Sequence, residues 1–389
     1  MVVGRSTGGI GVHVGQLSEE LRRLGHEVKV VTDPRTADRF GWADALRWWP
    51  ASGGAVRWVP RMRRLLAGAD VVHAHGLQAG ALVTLSLGPL GPLGPLRPLR
   101  SLPRSRSLSA ARHRPRFVVS LHNAVPWHGA CAPSGGAHGA GAKAGAAVAL
   151  RVVRAADLVT GASSDLVARA QQLGARAAEL APVPSPRVVS LLTQDVPNPQ
   201  ERSALAVTLL GRDVLHLPLV VTISRIAPQK SLRVLVTAAG ELQTPVVWAV
   251  IGDGDPALLA DLEQTAAGTC VRFIGARTDI DSWLRAATVF VLPSAWEARA
   301  LVVQEAMAAG TPVVATDVGG LPDLLAGAGA LVPAASPAAL AGAVDGLLGD
   351  AERRAELSRR GRARARSWAD GEGTARQWVS WYARAGELT

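Results

Sequence analysis

The chain has 389 residues, of which 48% are hydrophobic, and a formal net charge of +11. Because a typical domain holds on the order of 150 residues, this length predicts two domains, and the hydrophobic share is enough for a core in each. The two cysteines, Cys131 and Cys270, fit neither a disulfide framework nor a metal-binding spacing. The composition therefore excludes a disulfide-rich secreted scaffold and favours a reducing cytoplasm.

The excess of positive charge is confined to the first half of the chain. Residues 1–200 hold 24 basic and 11 acidic side chains, a net charge of +13, whereas residues 201–389 hold 18 and 20, a net charge of −2. Such a field favours an anionic partner, such as a phospholipid surface, a lipid phosphate or a nucleotide. A solvated arginine-rich surface is the alternative interpretation, and no nucleic-acid partner is expected.

Apolar runs and amphipathic segments alternate in the first half, a pattern typical of parallel strands joined by crossover helices. A helix is predicted in "VHVGQLSEELRRLG", and strands are predicted in "EVKVVT", "DVVHAHG", "RFVVSLHN" and the start of "ADLVTGASSDLVARAQQLGA". The strands end in polar residues, and the carboxyl ends of strands are where a doubly wound sheet collects its ligand groups.

The amino-terminal strand is short. Only Met1 to Val3 precede "GRSTGGIG", where a doubly wound domain needs a central strand. We expect translation to begin further upstream, and a domain that lacks part of its central strand is the alternative. Upstream in-frame codons for an apolar run would support the first interpretation, and stop codons would refute it.

Low-complexity and proline-rich segments mark the breaks in this pattern. Residues 86–116 pass from Gly/Pro/Leu repeats into a run with seven arginines, which predicts a disordered insert. The uncharged stretch from Leu77 to Leu96 contains prolines that would break a membrane-spanning helix. The proline-rich residues 181–218 are predicted to connect the two domains.

The second half repeats the alternating pattern. Strands are predicted in "LVVTISR", "VVWAVIGDG", "VRFIGAR", "TVFVLPS", "TPVVAT" and "GALVP", with helices between them. The final segment, "ARQWVSWYARAGEL", predicts an amphipathic helix whose Trp378, Trp381 and Tyr382 need a surface to cover. The pattern therefore predicts two consecutive α/β domains followed by a helix.

Two glutamates stand on either side of a strand-to-helix transition in "PSAWEARALVVQEAMAAGTPVVAT". Glu297 is predicted to lie in the loop after a strand, with a helix that begins near Ala298 or Arg299 and ends at Gly310. Free N–H groups at a helix start attract phosphate, and a carboxylate accepts hydrogen bonds from sugar hydroxyls. Glu305, two turns into the helix, would reach another part of the same ligand.

This stretch resembles the signature of the retaining glycosyltransferases of family 4. "STGGIG", "VVHAHG", "SLHN", "ISRIAPQKS", "IGDGDP", "FIGARTD" and "GGLPDLL" follow the family order over nearly the whole chain. The resemblance implies the GT-B architecture, an α/β fold with two Rossmann-like domains facing a cleft and parallel sheets covered by helices. It places an acceptor-side domain at 1–200, a nucleotide-sugar domain at 201–368, and a helix crossing back to the first domain at 369–389.

The resemblance also implies which side chains act. Arg225 and Lys230 resemble the basic pair that holds the donor diphosphate, where cations stabilise the leaving charge. Glu305 resembles the carboxylate that binds the ribose hydroxyls, and Glu297 resembles the residue that contacts the transferred sugar. The implied catalytic residues are His122, Arg225, Lys230 and Glu297. The implied donor-binding residues are Gly8, Gly9, Gly11, Arg225, Lys230, Gly252, Arg277, Glu297, Ala298, Arg299, Ala300, Leu301 and Glu305.

Each assignment has a structural alternative. Gly8, Gly9 and Gly11 suit close backbone approach at a helix start, but "GGIG" alone is a weak signal. His122 matches a family histidine beside the reacting centre, although a histidine at a strand end is more often a structural hydrogen-bonding group. His75 is a weaker candidate of the same kind. No cluster of His and Asp with metal-ligand spacing stands out in the sequence, so no metal or other cofactor is expected.

The implied activity is metal-independent transfer of a sugar from a nucleotide donor to a hydroxyl acceptor, such as a lipid-linked or cell-envelope glycan, with retention of configuration. "EARAL" replaces the Glu-Gly-Phe-Gly of many relatives, which leaves the donor sugar open. The rival hypotheses are an epimerase or a glycan phosphorylase of the same architecture, and a catalytically inactive sugar-nucleotide-binding or scaffold protein.

A basic amphipathic segment suggests a membrane contact. In "AVRWVPRMRRLLAG", Arg57, Trp58, Arg61 and Arg64 flank apolar residues at helical spacing. Such a helix can lie on an anionic membrane, which suggests a cytoplasmic protein that is peripheral on the inner face of the plasma membrane. An ordinary helix that covers the sheet is the alternative.

Overall fold

The computed structural model describes residues 1–50, 58–88, 114–124, 140–181 and 183–385. The chain forms two compact units, one of Met1–Ala181 with Glu372–Thr389 and one of Pro182–Gly371. The division after residue 181 differs from the predicted boundary at residue 200, which lies inside the second unit. Cys131, Arg57 and most of the predicted insert at 86–116 lie outside the described residues.

The first unit is built on a parallel sheet of seven strands, in the order β3-β2-β1-β4-β5-β6-β7. The strands are β1 (Val2–Val3), β2 (Val31–Thr32), β3 (Leu46–Arg47), β4 (Val71–His75), β5 (Arg116–Leu121), β6 (Leu158–Gly161) and β7 (Ala178–Leu180). The short β1 is fully buried and pairs with β2 and β4. The predicted strands are thus confirmed, whereas β3 and β7 are too short to show an apolar run.

Helices join these strands along the described part of the first unit. They are α1 (Gly9–Arg23), α2 (Pro34–Phe40), α3 (Val59–Leu66), α4 (Leu77–Leu87), α5 (Ala140–Ala155) and α6 (Ser164–Gln172). Ser86 and Leu87 therefore belong to α4 rather than to a disordered insert, since Ser86 donates a hydrogen bond to the carbonyl of Leu82 within the helix.

The second unit has a six-stranded parallel sheet in the order β10-β9-β8-β11-β12-β13. Its strands are β8 (Leu219–Ile223), β9 (Val247–Ile251), β10 (Val271–Gly275), β11 (Val289–Leu292), β12 (Val313–Thr316) and β13 (Ala330–Val332). All six coincide with the predicted apolar runs. The order is that of the doubly wound fold, in which β8 and β11 are central neighbours whose chains continue in opposite directions.

Helices cover both faces of this sheet. They are α7 (Arg187–Thr193), α8 (Pro199–Leu210), α9 (Leu232–Glu241), α10 (Pro256–Thr265), α11 (Ile280–Ala286), α12 (Leu301–Ala309), α13 (Leu321–Leu325), α14 (Pro337–Gly349) and α15 (Ala351–Arg366). Along β8, Leu219 and Val221 belong to one buried cluster and Val220 to another. Because side chains alternate along a strand, each face of the sheet has its own core.

The last helix, α16 (Gly371–Arg384), returns to the first unit. Its Trp378 and Trp381 pack with Leu17 and Leu21 of α1 in one buried cluster. Tyr382 lies beside this cluster, and its carbonyl accepts a 2.6 Å hydrogen bond from the Arg116 guanidinium of β5. The aromatic face that needed a surface is therefore covered by α1 and the sheet.

The apolar face of α3 is also covered. Met62 and Leu66 are buried in the first unit, which agrees with a helix that covers the sheet. Arg61 and Arg64 are exposed, and the Arg61 guanidinium lies 5.4 Å from the ring centroid of Trp48. Within the described ranges no helix has the length and apolar character needed to cross a membrane.

Candidate functional site

The carboxyl ends of β8 and β11 carry the side chains that the resemblance assigned to the diphosphate and the transferred sugar. Lys230 follows β8 in a 3-10 turn at Pro228–Lys230, and Glu297 follows β11 in the loop before α12. The crevice at such a switch point is where open α/β sheets bind ligands. The fold therefore brings two predicted residues, far apart in sequence, to this position.

Lys230 and Glu297 form a largely buried ion pair. The ammonium of Lys230 donates to Oε1 of Glu297, and their side chains are only 14% and 9% exposed. The hydroxyl of Ser294 donates to the same carboxylate oxygen at 2.7 Å, and the hydroxyl of Thr316 donates to the carbonyl of Ser294 at 2.6 Å. Glu297 is thus held in one orientation, with a cation beside it.

Contacts to backbone carbonyls hold together the four loops of this site, which follow β8, β9, β11 and β12. Gln229 donates its side-chain amide to the carbonyl of Trp296 at 2.7 Å. A Cβ on Gly252, whose φ is +144°, would lie 1.9 Å from the carbonyl oxygen of Ser224. A Cβ on Gly319 would lie 2.0 Å from the carbonyl oxygen of Glu297. Glycine at 252 and 319 therefore allows loops from adjacent strands to touch.

Helix α12 begins later than predicted. Ala300 is its N-cap residue with an extended ψ of 108°, and Leu301 is its first helical residue. Ala298 and Ala300 are buried in the loop. Arg299 packs its guanidinium 5.6 Å from the ring centroid of Trp368. Burial, with the nearby charge of Arg364, lowers the pKa of Arg299 to about 10, so this side chain is engaged by the core of its own unit.

Glu305 lies inside α12 and faces the segment that leads into α7. Its Oε1 accepts a 2.5 Å hydrogen bond from the Ser185 hydroxyl, and its Oε2 lies 3.7 Å from the guanidinium of Arg187. Gln304 accepts from the Ser185 N–H and donates to the carbonyl of Val183. These bonds explain why residues 183–200 belong to the second unit. Burial is the main cause that raises the pKa of Glu305.

The two remaining predicted cations, Arg225 and Arg277, differ in their ion pairing. Arg225 is exposed and has no ion-pair partner within the part of the chain that is described. Arg277 forms a bidentate pair with Asp279, with two nitrogen–oxygen distances of 2.9 Å. Arg225 is therefore available to an anion, whereas Arg277 would have to leave its partner.

In the first unit, the predicted glycines form the start of α1. Gly8 is the N-cap, and the N–H of Gly11 donates to the hydroxyl of Ser6 at 3.1 Å. A Cβ on Gly11 would lie 2.1 Å from the ring of Phe40. Gly11 thus has a packing reason to be glycine, while Gly9 is exposed at the helix start.

His122 belongs to a cluster of four histidines that the sequence only partly indicated. The others are His13 of α1 and His73 and His75 of β4, all buried. His75 and His122 stack with ring centroids 5.4 Å apart, and a 3.2 Å hydrogen bond joins Nδ1 of His75 to Nε2 of His122. Among the described residues, no three His, Cys, Asp or Glu side chains are placed to hold a metal ion.

The hydrogen bonds of the cluster favour one tautomer of His122. Nε2 of His75 is buried and has no partner among the described residues. If His122 were the donor, the proton of neutral His75 would sit on that nitrogen as a buried, unsatisfied N–H, which costs about 1–3 kcal/mol. Donation from Nδ1 of His75 avoids this arrangement. His122 then carries its proton on Nδ1.

Burial of the histidines predicts acid sensitivity of the first unit. Desolvation lowers the pKa of His13 to about 3 and of His122 to about 4, and holds those of His73 and His75 well below the usual value. Because the unfolded chain binds these protons near pH 6.5 and the folded chain does not, the free energy of unfolding falls as pH drops below about 6.5. The loss continues down to the folded pKa values.

We expect His13→Gln to reduce this slope by up to about 1.4 kcal/mol per pH unit between about pH 4 and 6, the contribution of one histidine. The slope is measured by urea-induced unfolding at several pH values, following the transition of the first unit. His26→Gln, at an exposed position, is the control. An unchanged slope in His13→Gln would show that His13 binds its proton equally well in the folded and unfolded states.

Comparison with known families gives two matches along the chain. Residues 8–186 match the family described as glycosyl transferase 4-like domain. Residues 217–350 match the family described as glycosyl transferases group 1. The matches fall in the first and second units respectively, apart from the residues around their junction.

Individual relatives are similar over shorter stretches. The lipopolysaccharide core biosynthesis mannosyltransferase LpsB of Rhizobium meliloti is 40% identical over 98 residues, 24% of this chain and 28% of that protein. The alpha-maltose-1-phosphate synthase of Mycolicibacterium smegmatis is 38% identical over 187 residues, 43% of this chain and 47% of that protein. The chain thus spans less than half the length of these curated relatives.

A solved structure shows the same fold over its whole length. HepE of Anabaena, crystallised with UDP and glucose, superposes with a TM-score of 0.76 at 18% identity, covering 98% of this chain and 99% of that one. The predicted fold class, two parallel α/β domains covered by helices as in the GT-B architecture, is therefore confirmed.

Proposed function

We propose that this chain, a homologue of glycosyltransferases with a glycosyl transferase 4-like domain and a glycosyl transferases group 1 domain, transfers a sugar from a nucleotide donor to a hydroxyl acceptor with retention of configuration and without a metal. The observation that carries the proposal is the largely buried Lys230–Glu297 pair at the switch point of the second sheet. The crystallised complexes of HepE with UDP and with UDP-glucose make a uridine nucleotide the first donor to test.

In this proposal Lys230 and Arg225 bind the donor diphosphate. Lys230 is held by Glu297, and a diphosphate would supply a second anionic partner. Arg225 is exposed and without an ion pair among the described residues. Cations at this position stabilise the charge that grows on the departing diphosphate, which is the largest contribution that a preorganised site makes to rate.

The two glutamates would bind the ends of the donor. Glu297 would accept hydrogen bonds from hydroxyls of the transferred sugar, and Glu305 from the ribose diol. Gly252 and the loop from Ala298 to Leu301 would shape the pocket around them. Because Arg299 is engaged with Trp368, we assign it a positioning role for this loop rather than contact with the donor, and Arg277 would join only after leaving Asp279.

The reaction would need no protein nucleophile. The acceptor oxygen forms a bond to the anomeric carbon on the face from which the diphosphate departs, and the acceptor proton passes to the leaving phosphate oxygen. Catalysis then depends on orientation and charge stabilisation. His122, with its proton on Nδ1, would donate a hydrogen bond to the sugar or acceptor, and the glycine-rich start of α1 (Gly8, Gly9, Gly11) would approach the phosphates.

A thermal-shift screen of UDP-, GDP- and ADP-sugars tests the proposal. We expect one nucleoside diphosphate series to raise the melting temperature, because a ligand at about 100 times its Kd adds about 2.7 kcal/mol to the stability of the fold. Incubation with that donor and an acceptor mixture should yield the diphosphate and a glycosylated product.

Other outcomes identify the rival functions. Nucleoside diphosphate without transfer favours an epimerase-type activity, and a requirement for inorganic phosphate favours a phosphorylase. Donor binding with neither hydrolysis nor transfer favours a catalytically inactive binding protein. If no sugar nucleotide shifts the melting temperature, the proposed donor site is wrong.

The cellular location is part of the same proposal. A cytoplasmic protein that is peripheral on an anionic membrane would use the exposed Arg61 and Arg64 of α3 beside Trp58, since Met62 and Leu66 are occupied by the core. Contact through arginine side chains alone is electrostatic and salt-sensitive. A lipid-linked or cell-envelope acceptor would be consistent with such a location.

A further inference from the structure

A cavity lies at the edge where the strands of the second sheet begin, opposite the edge that carries Lys230 and Glu297. It has a volume of about 860 Å³, and its floor is formed by residues that precede strands, among them Pro218 before β8, Thr288 before β11 and Pro312 before β12. Helices α8 and α15 form its walls. Because Lys230 and Glu297 follow the carboxyl ends of β8 and β11, this cavity is separate from the proposed donor site.

The lining of the cavity is strongly basic. It contains five arginines and no aspartate or glutamate; the arginines are Arg202, Arg354, Arg359, Arg362 and Arg366. Desolvation, followed by repulsion from Arg285 and Arg354, lowers the pKa of Arg202 to about 10. Desolvation, followed by repulsion from Arg366, also lowers the pKa of Arg362, and the nearby Asp195 opposes this shift. Within the lining itself, no acidic side chain offsets the five positive charges.

Three of these arginines are fixed in place by backbone carbonyls. Arg202 donates to the carbonyls of Arg285 and Ala287 at 2.8 and 2.6 Å. Arg354 and Arg362 also donate to carbonyl groups, at distances between 2.5 and 3.1 Å. Carbonyl groups orient a guanidinium without neutralising it, so the three arginines keep their positive charge at the cavity lining.

The two faces of α15 differ in charge pairing. On the face away from the cavity, Arg353 and Arg360 both pair with Glu356. On the cavity face, Arg359 and Arg366 are exposed and have no ion pair among the described residues. A helix that is solvated on all sides has no reason to pair arginines on one face only. A face that binds an anion would keep arginines without ion-pair partners.

Helix dipoles do not account for the positions of two of these arginines. Arg202 and Arg354 lie in the first two turns of α8 and α15, where the positive end of the macrodipole disfavours a cation. The acidic Glu201 of α8, and Asp350 and Glu352 at the start of α15, offset part of the positive potential of these helix ends. A basic helix end of this kind is stabilised when an anion is bound.

The cavity also offers an apolar surface. Val196 and Leu215 line it and are 39% and 44% exposed, and Leu217 and Leu348 lie beside them. A cavity of this volume matches those that bind small organic ligands. The ligand that fits both features is an anion joined to an apolar group.

We propose that this cavity binds a phosphate ester with an apolar substituent. Arg359 and Arg366 bind the phosphate, which accepts bidentate hydrogen bonds from guanidinium groups. Val196, Leu215 and Leu217 contact the apolar part. Soluble esters and lipid headgroups both carry this chemistry, and the test below separates the two sources.

Isothermal titration calorimetry with phenyl phosphate, at an ionic strength held constant with sodium chloride, tests the soluble source. Co-sedimentation with phosphatidylcholine vesicles, with and without phosphatidic acid, tests the lipid source. We expect saturable binding in at least one arm, and weaker binding of inorganic phosphate than of phenyl phosphate. The Lys230→Met protein should bind equally well, because the donor site is not involved.

The variant Arg359→Gln/Arg366→Gln should weaken that binding at least roughly tenfold, since two charge-assisted contacts are lost. Arg353→Gln/Arg360→Gln removes the same number of charges from the other face of α15, where both arginines pair with Glu356, and should bind like the wild type. Both changes are at exposed side chains, so folding should be unaffected. Binding in neither arm, or equal binding by the double variant, would overturn the proposal.

Discussion

Replacing Lys230 by methionine is expected to lower kcat/KM for sugar transfer by roughly 100- to 1,000-fold, the usual loss when one preorganised charge-stabilising group is removed. The ammonium lies at the end of β8, directly against Glu297 in a nearly buried site. It would stabilise the diphosphate more in the transition state than in the bound donor. The measurement is initial rate against donor concentration, with the loss mainly in kcat.

Loss of a buried ion-pair partner also affects stability. Removing one member leaves the other uncompensated and typically costs about 3–5 kcal/mol. The double variant Lys230→Met/Glu297→Gln should regain most of this stability, because no buried charge remains. It should stay inactive. Recovery of activity in the double variant would mean that the pair serves only to hold the loops together.

Lys29→Met is the matched control for the charge change. Lys29 is exposed and pairs with the exposed Glu27 in the first unit, a kind of pair that contributes little to stability. Activity and melting temperature should therefore stay at wild-type values. Lys230→Arg keeps the charge but replaces the compact ammonium, which fits the space beside Glu297, with a planar guanidinium. We therefore expect only partial activity.

The apolar strand runs predicted most of the fold because parallel strands are buried on both faces. Each run in the second half became a strand of one sheet, and the family resemblance assigned Lys230 and Glu297 to one donor. The two side chains meet because β8 and β11 are neighbours in the strand order. The short strands β3 and β7 carry no such run, so only the tertiary pairing reveals them.

The supporting contacts were harder to predict. Ser185 lies in "APVPSPR", a stretch whose local composition indicates only a linker, and its bond to Glu305 spans 120 positions of the sequence. His13 lies on the buried stripe of α1 with Leu17 and Leu21, so its burial could have been predicted. Its proximity to His75 and His122 depends on how α1 packs against the sheet.

The start of α12 shows why the helix boundary was wrong. The sequence predicted that the helix begins near Ala298 or Arg299, directly after Glu297. The carboxylate of Glu297 is instead used by Lys230 and Ser294, and its carbonyl accepts a 2.8 Å hydrogen bond from the N–H of Gly320. These contacts keep the chain extended as far as Ala300.

Glu305→Gln is expected to stabilise the protein at neutral pH while weakening donor binding. Burial, the largest cause, raises the pKa of Glu305 above its ordinary value. The folded state therefore binds this proton more tightly than the unfolded state, and stability decreases as pH rises from about 4.3 through the folded pKa. Glutamine resembles the protonated acid, and the Ser185 hydroxyl can reverse its role to accept from the amide.

The melting temperature of Glu305→Gln should thus match the wild type near pH ~4 and exceed it at about pH 7 to 8. Nucleoside diphosphate affinity should fall roughly 10- to 100-fold, because hydrogen bonds to a charged acceptor are worth about 1.5–3 kcal/mol. Glu263→Gln, on an exposed position of α10, should change neither property. If the variant is stabilised and still binds the nucleotide normally, Glu305 serves only to hold Ser185. If the variant gains stability and loses affinity, Glu305 is retained for binding at a cost in stability.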